Sequence, residues 1–284
     1  MPVWQHRNGK LDLNNRTAVM GILNITPDSF SDGGRYLDPD RAAARAMELE
    51  AEGADILDIG PQSTRPGHIP VSPDEELERL LPVLERLAGR LSIPISVDTY
   101  YPQVAQAALE RGAAIINDVS GSLENGMPAL AARCGAGLVM MHAGGGADDR
   151  AEVDAVAVVR RYFQQALEAA DRAGLPLSCV CLDPGVGFGK SGGGDLRLAA
   201  RLTETTAGLP EVAVLVGASR KRAIGACCGN PPPADRLAGT LAFHTAAQLQ
   251  GARILRVHDV KEAVQAARVT DAILREARDL PITS

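Results

Sequence analysis

The chain has 284 residues, of which 45% are hydrophobic and 23% are charged, and its formal net charge is −6. This length is enough for one large hydrophobic core or two modest ones. The acidic balance and the lack of a basic block argue against nucleic acid or an anionic membrane as partner, so an anionic ligand needs local Arg, Lys or backbone N–H groups.

The first 16 residues, MPVWQHRNGKLDLNNR, lack the apolar core of a signal peptide. No stretch approaches the roughly 18 apolar residues that a membrane helix needs. The five cysteines are an odd number without disulfide-type spacing, which favours a reducing compartment. We therefore expect a cytoplasmic protein that does not cross a membrane, with residues 1–17 forming an N-terminal extension that leads into one domain.

Eight short apolar runs recur along the chain, and polar or Gly-rich breaks and helical patterns separate them. The runs are continuous rather than alternating, which is typical of strands buried on both faces of a parallel sheet. The predicted strands are Ala18–Leu23, Ile56–Ile59, Ile93–Val97, Ala113–Ile116, Gly137–Met141, Cys179–Leu182, Val212–Val216 and Ile254–Val257.

The segments between these runs have helical periodicity, most clearly at Pro73–Ala88. Ser72 is a suitable N-cap for this helix, Glu75 completes a capping box, and Pro82 predicts a kink. The other predicted helices are Asp40–Glu52, Gln103–Arg111, Asp154–Ala173, Leu196–Thr206, Asp235–Gln250 and Val260–Arg278.

Eight strands alternating with helices predict a single-domain α/β fold over residues 1–284, a (β/α)8 TIM barrel. A doubly wound open sheet is the alternative, but no glycine fingerprint follows the first strand at Leu23. In a TIM barrel the active site lies at the carboxyl ends of the strands. A polar or charged residue follows every predicted strand, so we expect a polar ligand at that end.

Three small polar residues at these ends, Asp98, Asn117 and Asp183, suit the N–H and C=O edges of a flat heterocycle. Lys221 could donate to a ring carbonyl or balance the aspartates, although composition alone favours a solvated surface lysine. The sequence contains no Ser nucleophile motif or P-loop. The residues therefore suit an enzyme that binds two partners and expels a phosphorylated leaving group by positioning and electrostatics.

Anion and metal ligands are also available at the strand ends. Arg256 and His258 lie two residues apart, on one side of a strand end, and with Arg65 could hold phosphate. Asn24 offers a side-chain oxygen that Mg2+ accepts, and Mg2+ takes its remaining ligands from water and phosphate. The sequence has no His/Cys cluster, which argues against a zinc site.

Seven motifs along almost the whole chain resemble those of the dihydropteroate synthase family in order and spacing. They are MGILNITPDSFSDGG (20–34), STRPG (63–67), ISVDT (95–99), IINDVSG (115–121), DPGVGFGK (183–190), LVGASRK (215–221) and RVHDV (256–260). The first motif and the last two are specific to that family, whereas STRPG alone would be a weak signal.

The resemblance implies a TIM-barrel transferase, usually a homodimer, that uses Mg2+. Such enzymes join 6-hydroxymethyl-7,8-dihydropterin diphosphate to p-aminobenzoate, giving 7,8-dihydropteroate and pyrophosphate in folate biosynthesis. It also implies roles for residues of this chain. Asp98, Asn117, Asp183 and Lys221 would hold the pterin, and Met141 would pack on it; Asn24, Arg256 and His258 would hold diphosphate and Mg2+; Thr64 and Arg65 would belong to a mobile loop; Phe188, Ser219 and Lys221 would border the p-aminobenzoate pocket.

We expect a dissociative reaction in which Asp98, Lys221, Arg256 and His258 are catalytic. The basic groups and Mg2+ would stabilise the leaving diphosphate, and Asp98 would stabilise the cationic pterin methylene that the aryl amine attacks. The segment from Asn24 would act as a lid, with Gly33-Gly34 permitting motion.

The chain departs from the usual family motifs at three places. Pro61-Gln62 replaces Gly-Glu before STRPG, which stiffens the chain and removes a charge. Gly144–Gly146 follow the histidine where a polar amide is usual. Arg222 follows SRK in place of serine, and we expect it to point into solvent.

Three other functions remain open at this point. A methyltetrahydrofolate-dependent corrinoid methyltransferase would share the pterin-reading groups without needing the SRK and RVHDV motifs. A pterin-binding regulatory protein could have kept the site and lost turnover, as the altered loops would allow. An unrelated TIM-barrel enzyme is the interpretation without the motif matches.

Overall fold

The computed structural model describes residues 3–26, 38–62, 71–144, 154–190 and 193–279. Eight parallel strands close into a barrel in which each strand neighbours the next along the chain and the last pairs with the first. The predicted TIM barrel is therefore confirmed. The strands are β1 Val3–His6, β2 Gly9–Asp12, β3 Ala18–Asn24, β4 Ile56–Gly60, β5 Ile95–Asp98, β6 Ile115–Asp118, β7 Gly137–Met141, β8 Val180–Asp183, β9 Ala213–Val216 and β10 Ile254–Val257, with β3 to β10 forming the barrel.

Helices cover the outside of the barrel. They are α1 Pro39–Ala51, α2 Pro73–Leu87, α3 Pro102–Glu110, α4 Met127–Cys134, α5 Ala155–Arg172, α6 Gly194–Ala200, α7 Leu202–Thr206, α8 Arg222–Cys227, α9 Leu237–Leu249 and α10 Val260–Asp279. Short helices were the hardest to predict: α4 and α8 were missed, and the predicted helix Leu196–Thr206 is the pair α6 and α7. Within the ranges described, no helix is long and apolar enough to cross a bilayer.

Helix α2 begins where the sequence predicts, but its cap differs in one detail. Ser72 Oγ accepts a hydrogen bond from the backbone N–H of Glu75 at 3.2 Å. The Glu75 carboxylate pairs with Arg79, one turn further along, so the predicted capping box is only half formed. The helix continues through Pro82 to Leu87.

The N-terminal extension forms an antiparallel hairpin, β1 and β2, at the amino end of the barrel. Its Trp4 is buried with the apolar residues inside the barrel, and the indole N–H donates to the carbonyl oxygen of Cys179 at 3.0 Å. Leu13 is buried in the same cluster. The extension therefore closes the amino end of the barrel in addition to leading into it.

Two apolar cores divide the strand residues between them. The outer core packs alternate strand residues, such as Leu57 and Ile116, against the helices. The inner core contains the intervening residues, including Met20, Ile56, Ile115, Val139, Cys181, Leu215 and Ile254. Because side chains alternate along a strand, the residue two places after each inner-core residue also faces the inside of the barrel, closer to its carboxyl end.

Candidate active site

Strand alternation brings the predicted polar residues to one mouth of the barrel. On β4, β6, β8 and β10, a polar residue lies two positions after the inner-core residue of the strand. These residues are Asp58 after Ile56, Asn117 after Ile115, Asp183 after Cys181 and Arg256 after Ile254. Asp98 pairs in register with Asn117, and Met141 with Asp183, so both share this level.

Arg256 joins two buried carboxylates across the barrel mouth. Its Nε donates to Asp58 Oδ2 at 2.6 Å, and its Nη2 donates to Asp98 Oδ2 at 2.5 Å. Asp58 Oδ2 also accepts from Asn117 Nδ2 at 3.1 Å. Burying charges is costly unless they are paired. The positive charge of the guanidinium therefore offsets the cost of burying two carboxylates close together. Its bonds also link β4, β5 and β10.

Three buried acceptor oxygens of this network have no hydrogen-bond partner within the described parts of the chain. They are Asp58 Oδ1, Asp98 Oδ1 and Asn117 Oδ1. The donor side of the Asn117 amide is used by Asp58, so the amide presents its oxygen. Buried polar atoms are normally paired. The mouth is therefore suited to a ligand that presents several N–H or O–H donors.

Burial strongly affects the acids of the mouth. Burial raises the pKa of Asp98 to about 7, the positive charge of Arg256 opposes the rise, and the charges of Asp58 and Glu76 add to it. Burial also raises the pKa of Asp183, with Lys221 opposing, and Asp183 Oδ1 accepts from the backbone N–H of Gly185 at 2.7 Å. Burial therefore disfavours the charged form of both carboxyls, while the neighbouring cations Arg256 and Lys221 favour it.

Lys221 is half-buried at the mouth, so it is not the solvated surface lysine that composition favours. Its Nζ donates to the carbonyl oxygen of Val186 and lies 4.5 Å from the centre of the Phe188 ring. Burial lowers its pKa to about 8, against the opposing charge of Asp183. Lys221 and Phe188 thus form one wall beside Asp183.

The loop that carries Phe188 is fixed to the end of β7 by Lys190. The ammonium donates to the carbonyl oxygens of His142 at 3.0 Å, Gly185 at 2.8 Å and Phe188 at 2.8 Å. Gly185 has φ 67°, and a Cβ there would lie 1.9 Å from the His142 carbonyl oxygen. Only glycine allows this close approach, which sets the position of the Phe188 wall.

The loop after β9 places Ser219 beside His258. Ser219 Oγ accepts from the backbone N–H of His258 at 3.2 Å and lies 3.0 Å from His258 Nδ1. Arg220 takes the left-handed conformation, with φ 61°, and pairs through its Nε with Asp259 Oδ2 at 3.0 Å. The strained turn is held by a specific ion pair, and it orients the imidazole of His258.

Helix α9 supports the same loop from behind. His244 Nε2 accepts from the backbone N–H of Ala218 at 3.1 Å, and Thr240 Oγ1 accepts from the N–H of Arg220 at 3.1 Å. Burial lowers the pKa of His244 to about 3, so this imidazole is neutral and serves as an acceptor. Two side chains of one helix therefore fix the backbone on either side of Ser219.

Asn24 ends β3 at the level of Gly60. A Cβ on Gly60 would lie 3.5 Å from Asn24 Oδ1, so the glycine leaves open space beside this oxygen. Among the residues that the structure describes, no group of three His, Cys, Asp or Glu side chains could hold a metal ion. The residues present fit a cation such as Mg2+ that takes one protein oxygen and otherwise uses water and phosphate.

Comparisons with known proteins agree with this arrangement. The sequence profile of the pterin binding enzymes matches residues 20–258. The dihydropteroate synthase of Escherichia coli (strain K12) is 44% identical over 269 residues, which cover 93% of this chain and 94% of that relative. This chain belongs to the dihydropteroate synthase family.

A relative with a second activity and a solved structure extend the comparison. The mitochondrial folate synthesis bifunctional protein of Arabidopsis thaliana is 41% identical over 284 residues, and the chain spans 51% of its length. The Burkholderia cenocepacia dihydropteroate synthase, solved in complex with 7,8-dihydropteroate, superposes with a TM-score of 0.88 at 38% identity and covers 98% of this chain and 99% of that one.

Some predicted features of this family member lie outside the described residues. These are Thr64 and Arg65, the Gly33-Gly34 part of the expected lid, and Gly145 and Gly146. The departures from the usual family motifs that can be described have clear positions. Gln62 is buried, and its Oε1 accepts from the backbone N–H of Val71 at 3.3 Å. Arg222 is exposed, as predicted.

Sequence analysis missed two buried acids of this dihydropteroate synthase fold. Asp58 lies in the middle of β4, within the apolar run Ile56–Ile59, and Glu76 lies on the buried face of α2. Both are fully buried. A charged residue inside a strand buried on both faces needs a partner, so the sequence did contain a signal for Asp58.

Proposed function

We propose that this chain condenses 6-hydroxymethyl-7,8-dihydropterin diphosphate with p-aminobenzoate, giving 7,8-dihydropteroate and pyrophosphate. It is a transferase of folate biosynthesis. The observation that carries this function is the convergence of Asp98, Asn117, Asp183, Lys221 and Arg256 at one barrel mouth, in a chain similar to dihydropteroate synthases along 93% of its length.

The pterin end of the substrate suits the unpaired acceptors. A dihydropterin ring carries an exocyclic amine and ring N–H groups, and Asp98 Oδ1 and Asn117 Oδ1 are acceptors without a partner within the described chain. Asp183 adds a further carboxylate, and Lys221 can donate to the ring carbonyl. Met141, buried on the inner face of β7, would pack on the ring. Fixed, desolvated partners of this kind discriminate strongly between ring systems.

The diphosphate end suits Arg256 and His258. Within the described residues, the bonds to Asp58 and Asp98 use two N–H groups of the Arg256 guanidinium, and its other donors could meet phosphate oxygens. Ser219 Oγ lies 3.0 Å from His258 Nδ1, and this contact would orient the imidazole toward the leaving group. Asn24 would hold Mg2+, which, when bound, neutralises charge on the diphosphate oxygens.

Positioning and electrostatics carry the reaction in this proposal. The C–O bond between the pterin methylene and the diphosphate breaks, and its electron pair leaves with pyrophosphate. Asp98 stabilises the positive charge that develops on the pterin, while Arg256 and His258 stabilise the leaving oxygens. The aryl amine then forms the C–N bond and loses a proton. Phe188 and Lys221 border the space for the amine.

The direct test is an assay of the purified chain with pterin diphosphate, p-aminobenzoate and Mg2+. We expect equal amounts of pyrophosphate and dihydropteroate, no product when either substrate is omitted, and loss of activity with EDTA that Mg2+ restores. Binding of pterin diphosphate without pyrophosphate release would instead indicate a pterin-binding regulatory protein. Methyl transfer from methyltetrahydrofolate to a corrinoid would indicate the methyltransferase.

We further propose that the chain forms a homodimer through α9 and α10. Leu249 at the end of α9 and Val269 and Ile273 on α10 are large exposed hydrophobic side chains. The two helices are joined here, because Gln248 Nε2 donates to the carbonyl oxygen of Ala267 at 3.0 Å. Val269 and Ile273 lie four residues apart on the exposed face of α10, and exposed apolar groups favour association with a second apolar surface.

Light scattering on the purified chain tests the dimer. The double variant Val269→Glu/Ile273→Glu should be a monomer at concentrations where the unmodified chain is a dimer. Leu196→Glu is the matched control, because Leu196 is also exposed but lies on α6. A dimer that withstands the double substitution would place the interface elsewhere.

The five cysteines favour a reducing compartment, and we infer that the protein is cytoplasmic. All five are free thiols in the structure. Fractionation of the producing cells tests this inference.

A further inference from the structure

Glu76 is a charged residue at an apolar position. It lies on α2 four residues before Leu80, on the same stripe as the buried Val83, Leu84 and Leu87. Its exposed fraction is 0%, whereas its neighbour Glu78 is exposed. Acidic side chains are rarely buried completely unless they are paired. An apolar residue would serve packing better, so this carboxyl needs another explanation.

The contacts of Glu76 lead to the end of β5. Its Oε2 accepts from Thr99 Oγ1 at 2.6 Å, and Thr99 directly follows Asp98. Thr99 Oγ1 in turn accepts from the backbone N–H of Tyr101 at 3.1 Å. Glu76 Oε1 is buried and has no hydrogen-bond partner in the part of the chain that the structure describes. The carboxyl therefore lies directly behind the active-site aspartate.

The electrostatic surroundings connect the two acids. Burial raises the pKa of Glu76 to about 7, and the Thr99 hydroxyl and the charge of Arg79 oppose the rise. Burial raises the pKa of Asp98 to about 7 as well. The charges of Asp58 and Glu76 raise the pKa of Asp98, whereas those of Arg256 and Lys221 lower it. Burial thus raises the pKa of both carboxyls, and the charge of Glu76 is one of the causes for Asp98.

We propose that Glu76 is a positioning residue, which fixes the end of β5 through Thr99 and controls the charge of Asp98. This inference rests on the proposed function, in which ionised Asp98 accepts donors of the pterin and stabilises its developing positive charge. When Glu76 is ionised, its negative charge opposes ionisation of Asp98. Glu76 therefore sets the lower limit of the pH range in which Asp98 can act.

The pH dependence of turnover separates this role from simple packing. The test compares Glu76→Gln with the matched variant Glu78→Gln, measuring kcat and kcat/KM for pterin diphosphate from pH 5 to pH 9. An amide keeps a partner for Thr99 but cannot oppose ionisation of Asp98. The acid limb of the Glu76→Gln profile should move to lower pH by about half to one pH unit, while Glu78→Gln leaves it unchanged. A residue that only packs would not move the limb.

Stability provides a readout without turnover. Burial raises the pKa of Glu76 from its ordinary value of 4.5 to about 7 in the folded chain, so the folded state holds more protons between these values. The contribution of Glu76 to stability is therefore lost as the pH rises through this window. The melting temperature of Glu76→Gln relative to the unmodified chain should be higher at pH 8 than at pH 5. A constant difference would show that Glu76 does not titrate.

A second variant keeps the inference testable if Glu76→Gln does not fold. Thr99→Val leaves the acid in place but removes its hydrogen-bond donor, which favours the neutral form of Glu76. Its acid limb should move in the same direction by a smaller amount. Unchanged limbs in the folded variants would overturn the inference. If the unmodified chain releases no pyrophosphate, the proposed function fails, and the pH dependence of pterin diphosphate binding by calorimetry tests Glu76 independently.

Discussion

The two ends of the barrel are built from the same eight strands but differ in chemistry. At the amino end, inner-core residues such as Ile56 and Ile254 pack under Trp4 of the N-terminal hairpin. At the carboxyl end, two residues further along the same strands, the buried Asp58 and the half-buried Arg256 form an ion pair at 2.6 Å. Two residues along each strand, which is one repeat of the strand, therefore separate the apolar amino end from the charged carboxyl end.

This difference separates stability from function. Apolar burial at the amino end stabilises the fold without specifying a ligand. The charged mouth is costly to bury and retains acceptors that have no partner among the described residues, which a stable fold alone would not require. Substitutions at the two ends should therefore affect different measurements.

The largest effect that we expect is at Asp98. Asp98→Asn keeps the shape but removes the charge that would stabilise the cationic pterin, so kcat should fall by about a thousandfold, equivalent to about 4 kcal/mol. The free energy of unfolding should change by no more than about 1 kcal/mol, because Arg256 retains Asp58. Pyrophosphate release and urea unfolding measure the two quantities, with the exposed Asp74→Asn as control. Comparable losses of turnover and stability would contradict the role of Asp98.

The opposite result is expected at Trp4. Trp4→Ala removes a buried indole and its bond to the Cys179 carbonyl, which should lower the free energy of unfolding by about 3–5 kcal/mol. The folded fraction should retain kcat within about twofold, because the site lies at the other end. The exposed neighbour Gln5→Ala is the matched control. A large fall in kcat at temperatures where the variant is fully folded would mean that the two ends are coupled.

The sequence predicted the barrel because its strands are short continuous apolar runs. Such runs are typical of strands that are buried on both faces of a parallel sheet. It also located Asp98, Asn117 and Asp183, since these residues stand where such runs end, and it placed Lys221 in the loop that follows the seventh run. It missed α4 and α8, which have eight and six residues, because helices of about two turns give little periodicity. Helix α6–α7 was predicted as one element because the break at Arg201 has no Gly or Pro to signal it.

The site residues that sequence reasoning missed are those whose partners are distant along the chain. Asp58 pairs with Arg256, 198 residues away, and Glu76 meets Thr99, which directly follows β5. A pattern confined to one element cannot show such a pairing. The sequence does show the anomaly, an acid at an apolar position, and the fold then supplies the partner.

Substitutions at the two ends of β4 compare the amino and carboxyl ends of the barrel on a single strand. Asp58→Asn should disturb both the Asn117 amide and Arg256, raising KM for pterin diphosphate so that kcat/KM falls by about 10- to 100-fold. The KM for p-aminobenzoate should stay the same. The matched control is Asp55→Asn at the amino end of the same strand, where Asp55 accepts from the backbone N–H of Val19 at 2.9 Å. Equal effects of the two substitutions on KM would contradict the division between the ends.

The smallest effect is expected at Arg222, which replaces the serine that usually follows SRK in the family. The side chain is exposed at the first position of α8, whereas its neighbour Lys221 lies over Phe188 at the mouth. Arg222→Ser should therefore change KM for p-aminobenzoate by less than about twofold, as surface substitutions away from a site usually do. Phe188→Ala, which removes the wall itself, is the positive control and should raise that KM several-fold. A several-fold change in KM for p-aminobenzoate with Arg222→Ser would show that the arginine reaches the pocket when both substrates are bound. The charged mouth would then extend to the first turn of α8.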